Sequence, residues 1–406
     1  MERPWARADT GPPAQGRLFG LRACARGGWE MAEIAKSNRA SGASGAPPEL
    51  LRLRERIDAI DTAILEQLNA RAEAVLEVGR LKGQSGLAVY EPAREQAIVG
   101  RLVATNPGPF PDRALAPVFR EIVSATRSLE EVLRVAYLGP RGTFSHQAAV
   151  RHFGHLSEFV PCVSIRDVFA AVARAEASVG IVPVENTTEG VVTQTYDCLA
   201  SSELLLCGEA QLRISHQLLS RSGDRGRVRR IASHPQPLAQ CRRWLDAQMP
   251  DAERVEVAST AAAAGLAAED DSVAAIASAI AEEEYGLRTV AASIEDQRDN
   301  TTRFLVIGRD APSPGGNDLT SAVFTLRRDE SGALWRMLEP FARCRINLTS
   351  IQLRPIEGKP WEYHFFLDIE GHQGEPRVRE ALDAATAMAI SARVLGSFPR
   401  AAGREE

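Results

Sequence analysis

The stretch "VLRVAYLGPRGTFSHQAAVRHF", residues 132–153, marks a change in the character of the chain. From Arg134 a short apolar run predicts a strand, and Gly-Pro-Arg-Gly then leads into a helical pattern. The same succession of strand and helix recurs in "ASVGIVPVEN", "RRIASHPQPLAQCRRWL", "SVAAIASAIAEEEYGL" and "TTRFLVIG". Alternation of this kind predicts an α/β domain with a largely parallel sheet, which we place at residues 134–311.

Upstream of this stretch the pattern is entirely helical. Pro48 is followed by about 30 residues without Gly or Pro, in which apolar residues recur at three-, four- and seven-residue steps. Such a helix is about 45 Å long, too long for one small domain to cover, so it predicts a bundle or an intertwined oligomer. Shorter helices are predicted at 92–104 and 114–133, giving an all-α domain at residues 49–133.

Downstream, residues 309–318 have the composition of a linker. The remaining segment, residues 319–398, has the order strand, helix, strand, strand, helix, strand, which predicts a ferredoxin-like α+β domain. Residues 1–48 are rich in Gly, Pro, Ala and Arg without periodicity, and we expect them to be disordered. An organellar transit peptide is one alternative for this extension, and a start at Met31 in place of Met1 is a plainer one.

The overall composition excludes several classes of function. The 406 residues carry a net charge of −5, which does not favour nucleic-acid binding, and no apolar run is long enough to span a membrane. The six cysteines have no C-x-x-C spacing and the seven histidines form no H-E-x-x-H, so neither a metal site nor a disulfide framework is predicted. No secretory signal is evident, and we expect a cytoplasmic protein.

The long helix presents a candidate anion pocket. Arg71 and Lys82 are 11 residues apart, which places them within about 20° on one helical stripe. Arg54 lies about 100° away from that stripe, so it fits the pocket of a neighbouring copy better than its own. Of the 48 cationic residues only three are lysines, which suggests that Lys82 does something that arginine cannot.

This region resembles the all-helical class of chorismate mutase, in "LRERIDAID", "LNARAEAVLEVGRLK", "YEPAREQ" and "FREIVSATRSLE". The resemblance implies that Arg54 of a partner subunit, Arg71 and Arg94 bind carboxylates and that Glu95 accepts the hydroxyl of chorismate. It also implies that Lys82 and Glu130 contact the ether oxygen. Two further positions, Glu91 and Thr126, belong to the same implied substrate site.

The rearrangement that this family catalyses is pericyclic and needs no nucleophile. The enzyme has to hold a flexible dianion in a reactive conformation and to stabilise negative charge on the ether oxygen. Guanidinium forks suit carboxylates, and a compact ammonium suits a single oxygen. Glu130 can donate to that oxygen only when protonated, so mutase activity should fall as the pH rises.

The α/β region resembles prephenate dehydratase, in "AYLGPRGTFSHQAA", "VPVENTTEG", "SHPQPLAQC" and "RDNTTRFLVIG". "GPRGTFS" alone would indicate no more than a turn with a helix cap from Thr143 or Ser145. The resemblance implies that Thr302 is the main catalytic hydroxyl, assisted by neighbouring dipoles or by Glu185, and that Arg303 anchors a carboxylate. For Thr301 a cap or turn role is favoured. The other implied pocket residues are Asn186, Ser233 and Gln240. The resemblance also implies a two-lobed α/β fold like that of periplasmic binding proteins.

The last segment resembles an ACT regulatory module, in which "GALW" at 332–335 matches the Gly-Ala-Leu loop. The usual second motif, Glu-Ser/Thr-Arg-Pro, is replaced here by "QLRP", so its acid and hydroxyl are missing. L-Phenylalanine is the effector that the resemblance implies. Its expected contacts are Gly332, Ala333, Leu334, Asn347, Gln352, Leu353 and Arg354.

Together these resemblances indicate a bifunctional chorismate mutase/prephenate dehydratase of phenylalanine biosynthesis. They imply no cofactor and no metal, chorismate and prephenate as substrates, and a homodimer or higher oligomer. One alternative is that a single catalytic domain is active, or that the mutase acts on another small dianion. Another is a phenylalanine-binding sensor, which would bind the amino acid without turnover and would leave Thr302 without a role.

Overall fold

A computed structural model describes residues 47–85, 90–326, 330–359 and 361–401. The expectations for residues 1–46, including the start at Met31, lie outside this range. Two compact units divide between Gln67 and Leu68. The described part of the first unit is the beginning of helix α1, and all the other elements belong to the second.

The all-α region contains three helices within the described residues: α1 (Pro48–Ser85), α2 (Pro92–Thr105) and α3 (Asp112–Arg127). At 38 residues, α1 is longer than the pattern predicted. Helix α3 ends six residues before the predicted Leu133, and a turn follows at 128–130. The N-terminal part of α1 carries an exposed apolar stripe, since Leu53, Ile57, Ile60 and Ile64 are 49–55% exposed.

The dehydratase-like region has two sheets in two lobes. The first sheet has the order β2-β1-β3-β11-β5, with β4 paired to β3, and the second has the order β10-β6-β9-β7-β8. The strands are β1 (Arg134–Leu138), β2 (Glu158–Cys162), β3 (Val179–Asn186), β4 (Gly190–Val191), β5 (Leu205–Arg213), β6 (Gln217–Ser220), β7 (Arg230–Ser233), β8 (Glu253–Glu256), β9 (Val273–Ala277), β10 (Arg288–Ala291) and β11 (Thr301–Gly308). The helices are α4 (Phe144–Phe153), α5 (Ile165–Ala173), α6 (Thr193–Ser201), α7 (Pro235–Gln240), α8 (Arg242–Gln248), α9 (Thr260–Glu269) and α10 (Ile280–Glu284).

The expectation of largely parallel sheets was wrong, because both sheets are mixed. Strand β11 runs antiparallel to β3 and to β5, and β6 runs antiparallel to β9 and β10. The reason is that the chain crosses between the lobes twice, through residues 214–216 and 292–300. Strand β3 ends at the crossover side and β11 begins there, so the two strands have opposite directions.

The C-terminal region has the predicted β-α-β-β-α-β order. Its antiparallel sheet has the order β13-β14-β12-β15. The elements are β12 (Asp318–Thr325), α11 (Ala333–Arg343), β13 (Leu348–Pro355), β14 (Tyr363–Glu370), α12 (Pro376–Met388) and β15 (Ser391–Pro399).

This C-terminal sheet shares a hydrophobic core with the first lobe. Leu319, Val323, Phe366 and Phe398 pack in one cluster with core residues of that lobe. At Gly396 the two backbones approach so closely that a Cβ would lie 2.3 Å from the carbonyl oxygen of Leu206. The C-terminal sheet is therefore packed directly against the sheet that contains β11.

Candidate active sites

The first candidate site lies on the helical region. The guanidinium of Arg71 donates from Nη1 to the hydroxyl of Thr126, which links α1 to α3. Burial lowers the pKa of Arg71, Glu95 opposes this shift, and Arg94 adds to it. Arg71, Arg94, Glu95 and Thr126 are thus close together.

Lys82 and Glu130 converge on the same stretch of α1. The ammonium of Lys82 lies 2.5 Å from Oε1 of Glu91. A Cβ at Gly79 would lie 2.7 Å from Cγ of Glu130, so the Glu130 side chain lies flat against the helix at Gly79. Positions three residues apart are neighbours on a helix surface, so Glu130 is held beside the turn that carries Lys82. Arg54 belongs to the other compact unit.

Glu95 has an ion-pair partner that the sequence analysis did not single out. Nη1 of Arg127 lies 2.6 Å from Oε1 of Glu95. Burial raises the pKa of Glu95, and Arg127 counteracts that rise. Arg127 directly follows Thr126, and that position was the available signal for it.

The second candidate site lies where the chain crosses between the two lobes. Thr302 on β11 is paired directly with Asn186 on β3, so their side chains lie on the same face of the sheet. Nδ2 of Asn186 donates to Oγ1 of Thr302 and to Oδ1 of Asn300, both at 2.8 Å. Oδ1 of Asn186 accepts from the backbone N–H groups of Thr188 and Glu189.

These bonds fix the direction in which Thr302 can donate. Because two N–H groups hold Oδ1 of Asn186, its Nδ2 must face Thr302. Oγ1 of Thr302 therefore accepts from this amide, and its own proton is directed elsewhere. The sequence left open whether neighbouring dipoles or Glu185 assist Thr302, and the Asn186 amide is a dipole in contact with its hydroxyl.

The network continues into the second lobe. Nδ2 of Asn300 lies 3.5 Å from Oε1 of Gln240, and Nε2 of His216 lies 2.7 Å from the same oxygen. An amide oxygen only accepts, so His216 carries its proton on Nε2. Burial lowers the pKa of His216. Phe144, at the start of α4, packs edge-on against this imidazole at 5.2 Å between ring centroids, which brings the "GPRGTFS" segment to the site.

The remaining sequence-predicted pocket residues have mixed positions. Gln240 joins the network, whereas Ser233 is fully buried and donates to the carbonyl of Ile276 at 2.7 Å. Thr143 caps α4 by accepting from the N–H of His146, which confirms the cap interpretation of that loop. Asn300 and His216 were missed by the sequence analysis. Asn300 directly precedes the "TTRF" segment, but nothing in the local pattern around His216 indicated its role.

Glu185 and Arg303 are on the other face of the sheet, contrary to our expectation. They are paired across β3 and β11, one position removed from Asn186 and Thr302, and side chains alternate along a strand. Nε of Arg303 lies 2.8 Å from Glu209, and its Nη1 lies 2.6 Å from Asp368 of the C-terminal sheet. Burial alone would lower the pKa of Arg303, but the two carboxylates raise it well above its usual value. The structure therefore does not bring Arg303 or Glu185 to Thr302.

The candidate effector segment lies at the start of α11 and along the edge strand β13. Gly332 precedes α11 with φ = 76°, a left-handed conformation that suits glycine, and Leu334 and Leu353 are exposed. Arg354 is not available in this arrangement, because it pairs with Asp197 on α6 at 2.8 Å. That ion pair joins β13 to α6 of the dehydratase-like region.

The described residues contain neither a metal-binding cluster nor a membrane-spanning helix. No group of three or more His, Cys, Asp or Glu residues there could hold a metal ion. Among the described helices, none has the length and apolar character needed to cross a membrane.

Comparison with known proteins assigns all three regions. Family models match as follows: chorismate mutase type II at residues 53–131, prephenate dehydratase at 135–312 and the ACT domain at 321–386. The bifunctional chorismate mutase/prephenate dehydratase of Aquifex aeolicus is 44% identical over 87% of this chain and 98% of its own. The protein of the same description from Neisseria gonorrhoeae is 43% identical over 87% of this chain and 97% of its own.

A solved structure is similar to about two thirds of the chain. The prephenate dehydratase of Arthrobacter aurescens, in complex with L-Phe, is 36% identical, with a TM-score of 0.61. The match covers 66% of this chain and 90% of that one.

Proposed function

The chain belongs to the family of bifunctional chorismate mutase/prephenate dehydratases, and from that membership we propose which of its residues perform and control the two reactions. The protein is a chorismate mutase and a prephenate dehydratase in one chain, and its activities belong to phenylalanine biosynthesis. The residue roles below are our proposals.

In the dehydratase site, Thr302 donates a hydrogen bond to the departing hydroxyl of prephenate. The ring carboxylate leaves as carbon dioxide, and the electron pair of its carbon–carbon bond moves into the ring, which becomes aromatic. The hydroxyl leaves with the electron pair of the carbon–oxygen bond and becomes water by taking the threonine proton, which solvent then replaces. The observation that carries this proposal is the 2.8 Å bond from Asn186 Nδ2 to Thr302 Oγ1, since it leaves the threonine proton for the substrate. Hydrogen bonds from His216 to Gln240, from Asn300 to Gln240 and from Asn186 to Asn300 fix the orientation of the Asn186 amide. Glu185 and Arg303 support the strand from its other face.

In the mutase site, Arg71 and Arg94 bind the carboxylates of chorismate, and Arg54 of the partner subunit completes the site. Lys82 and Glu130 stabilise the charge that develops on the ether oxygen. Glu95 accepts the substrate hydroxyl. Thr126 orients Arg71 and Glu91 orients Lys82, which reduces the freedom that substrate binding would otherwise have to remove.

For regulation, we propose that L-phenylalanine binds at the start of α11 and along β13. The solved complex of the Arthrobacter aurescens relative with L-Phe supports L-phenylalanine as the ligand, and the "GALW" match supports this position. The proposed contacts are Gly332, Ala333, Leu334, Asn347, Gln352 and Leu353. The pair between Arg354 and Asp197 would carry the signal to the dehydratase region.

We also propose that the active form is at least a dimer. The exposed apolar stripe on the first part of α1 supports this, because a second copy would bury it. Sedimentation of the purified protein as a monomer at micromolar concentration would contradict the proposal. A cytoplasmic location stays a prediction.

One incubation tests both activities. The full-length chain is given chorismate, and prephenate and phenylpyruvate are followed with and without L-phenylalanine. We expect phenylpyruvate from the wild type, accumulated prephenate from Thr302→Val, and unconverted chorismate from Lys82→Met. When prephenate is supplied, Lys82→Met should regain phenylpyruvate production. Thr301→Val is the matched control for Thr302→Val, and equal loss in these two variants would refute the role of Thr302.

A further inference from the structure

Arg127 joins two parts of the protein that catalyse different reactions. It is 6% exposed, at the end of α3 in the mutase region. Its Nη1 holds Glu95 at 2.6 Å, and its Nη2 donates to the carbonyl of Phe153 at 2.9 Å. Phe153 is the last residue of α4, which belongs to the dehydratase region.

The dehydratase end of this contact is firmly fixed. Phe153 is 1% exposed and packs in the core cluster that also contains Phe304 of β11. Tyr90 lies against Phe153 at 5.3 Å between ring centroids, and its hydroxyl is hydrogen-bonded to Nε2 of His152 at 2.8 Å. Burial lowers the pKa of His152 to about 3, so the imidazole is neutral at physiological pH. The guanidinium of Arg127 also lies 5.9 Å from the centre of the Tyr90 ring.

At the mutase end of the contact, Glu95 needs a cationic partner such as Arg127. A carboxylate that is to accept a substrate hydroxyl must be charged and correctly placed, and burial works against its charge. The pairing with Arg127 occupies Oε1 of Glu95, whereas a carboxylate can accept about four hydrogen bonds, so capacity for a substrate remains.

We propose that Arg127 is a positioning residue for the mutase reaction, which holds Glu95 in place from an anchor in the dehydratase fold and so makes the first activity depend on the second domain. This inference rests on the proposed role of Glu95 in chorismate binding.

The test uses the full-length chain, in which dehydratase activity on prephenate is an internal control for folding. In Arg127→Met we expect mutase kcat/KM to fall at least about tenfold, because small displacements of a positioning group are costly. Dehydratase kcat/KM should stay within about twofold. Arg127→Lys keeps the charge but not the two-sided contact, so it should be intermediate. Arg393→Met is the matched control, since Arg393 likewise donates to carbonyls of a neighbouring region, those of Leu199 and Ser202.

The pH profile separates positioning from a general structural effect. Burial raises the pKa of Glu95, while Arg127 and then Arg120 lower it and Glu91 raises it further. Arg71 and Tyr90 also face this carboxylate. Removal of Arg127 should therefore raise the pKa of Glu95. The acid limb of mutase kcat/KM should move to higher pH in Arg127→Met and less in Arg127→Lys, while the dehydratase profile stays in place.

A double-mutant cycle completes the test. If Arg127 acts through Glu95, adding Arg127→Met to Glu95→Gln should lower mutase kcat/KM by less than about twofold more. Fully multiplicative losses would overturn the inference, as would wild-type mutase kinetics in Arg127→Met. Equal loss of both activities in Arg127→Met, with normal kinetics in Arg127→Lys, would show a purely structural role and would also overturn it. If wild type converts no chorismate, or if Glu95→Gln has no effect, the proposed mutase site itself fails.

Discussion

Asn186→Asp tests the mechanism of the dehydratase site with almost no change in shape. The new carboxylate keeps an acceptor for the N–H groups of Thr188 and Glu189. It replaces the Nδ2 donor with a second acceptor, however, so the bond of 2.8 Å to Thr302 must reverse its direction. The threonine proton then points at residue 186 and not at the substrate.

The size of the effect follows from the hydrogen bond that is lost. Removing one preorganised donor that acts in the transition state costs about 2.7–4 kcal/mol, or about 10²–10³ in kcat. We therefore expect kcat for prephenate to fall by about that factor, measured as phenylpyruvate formed from saturating prephenate. Chorismate consumption by the same preparation should be unchanged, which controls for folding.

The added negative charge could also repel a dicarboxylate substrate, and a second background isolates that effect. In Thr302→Val there is no hydroxyl to reverse, so Asn186→Asp should change KM there but leave the residual kcat nearly unchanged. The reasoning is refuted if Asn186→Asp alone keeps kcat within about fivefold of wild type. It is also refuted if the losses in kcat from the two substitutions multiply.

Three further predictions concern the other sites. Gly79→Ala replaces a poor helix former, which is worth up to about 1 kcal/mol of stability, but the new Cβ would lie 2.7 Å from Cγ of Glu130. We therefore expect an unchanged or higher melting temperature together with at least about tenfold lower mutase kcat/KM. Unimpaired chorismate turnover would contradict the placement of Glu130. Glu130→Gln should flatten the decline of mutase activity with rising pH, because an amide can donate to the ether oxygen at any pH; a profile identical to wild type would exclude proton donation by Glu130. Asp197→Asn breaks a partly exposed ion pair with Arg354, so the free energy of unfolding, measured with urea, should fall by only about 0–1 kcal/mol. The concentration of L-phenylalanine needed to suppress phenylpyruvate formation should rise. An unaltered response to L-phenylalanine would show that this pair does not transmit the signal.

Much of the molecule could be predicted from local patterns. The period of apolar residues identified the long helix α1 and the strand–helix alternation that follows it, because these periods reflect the geometry of the backbone itself. The order of elements in the C-terminal region was readable for the same reason. The position of Arg71 and Lys82 on one stripe also followed, since a helix converts sequence spacing directly into direction.

Only the tertiary structure decided which face of the sheet the side chains of β3 and β11 occupy and which residues they contact. Thr302 and Arg303 are adjacent in sequence, yet a strand turns one toward the lobe crossover and the other toward Asp368 of the C-terminal sheet. Asn300, Gln240 and His216 are separated by up to 84 positions (216 to 300) and meet only because the chain crosses between the lobes twice. The proposed role of Arg127 likewise depends on its hydrogen bond to the carbonyl of Phe153, a contact that no sequence periodicity predicts. Sequence patterns encode local conformation, whereas the direction of a mixed sheet and the contacts between domains depend on how distant segments bury their surfaces together.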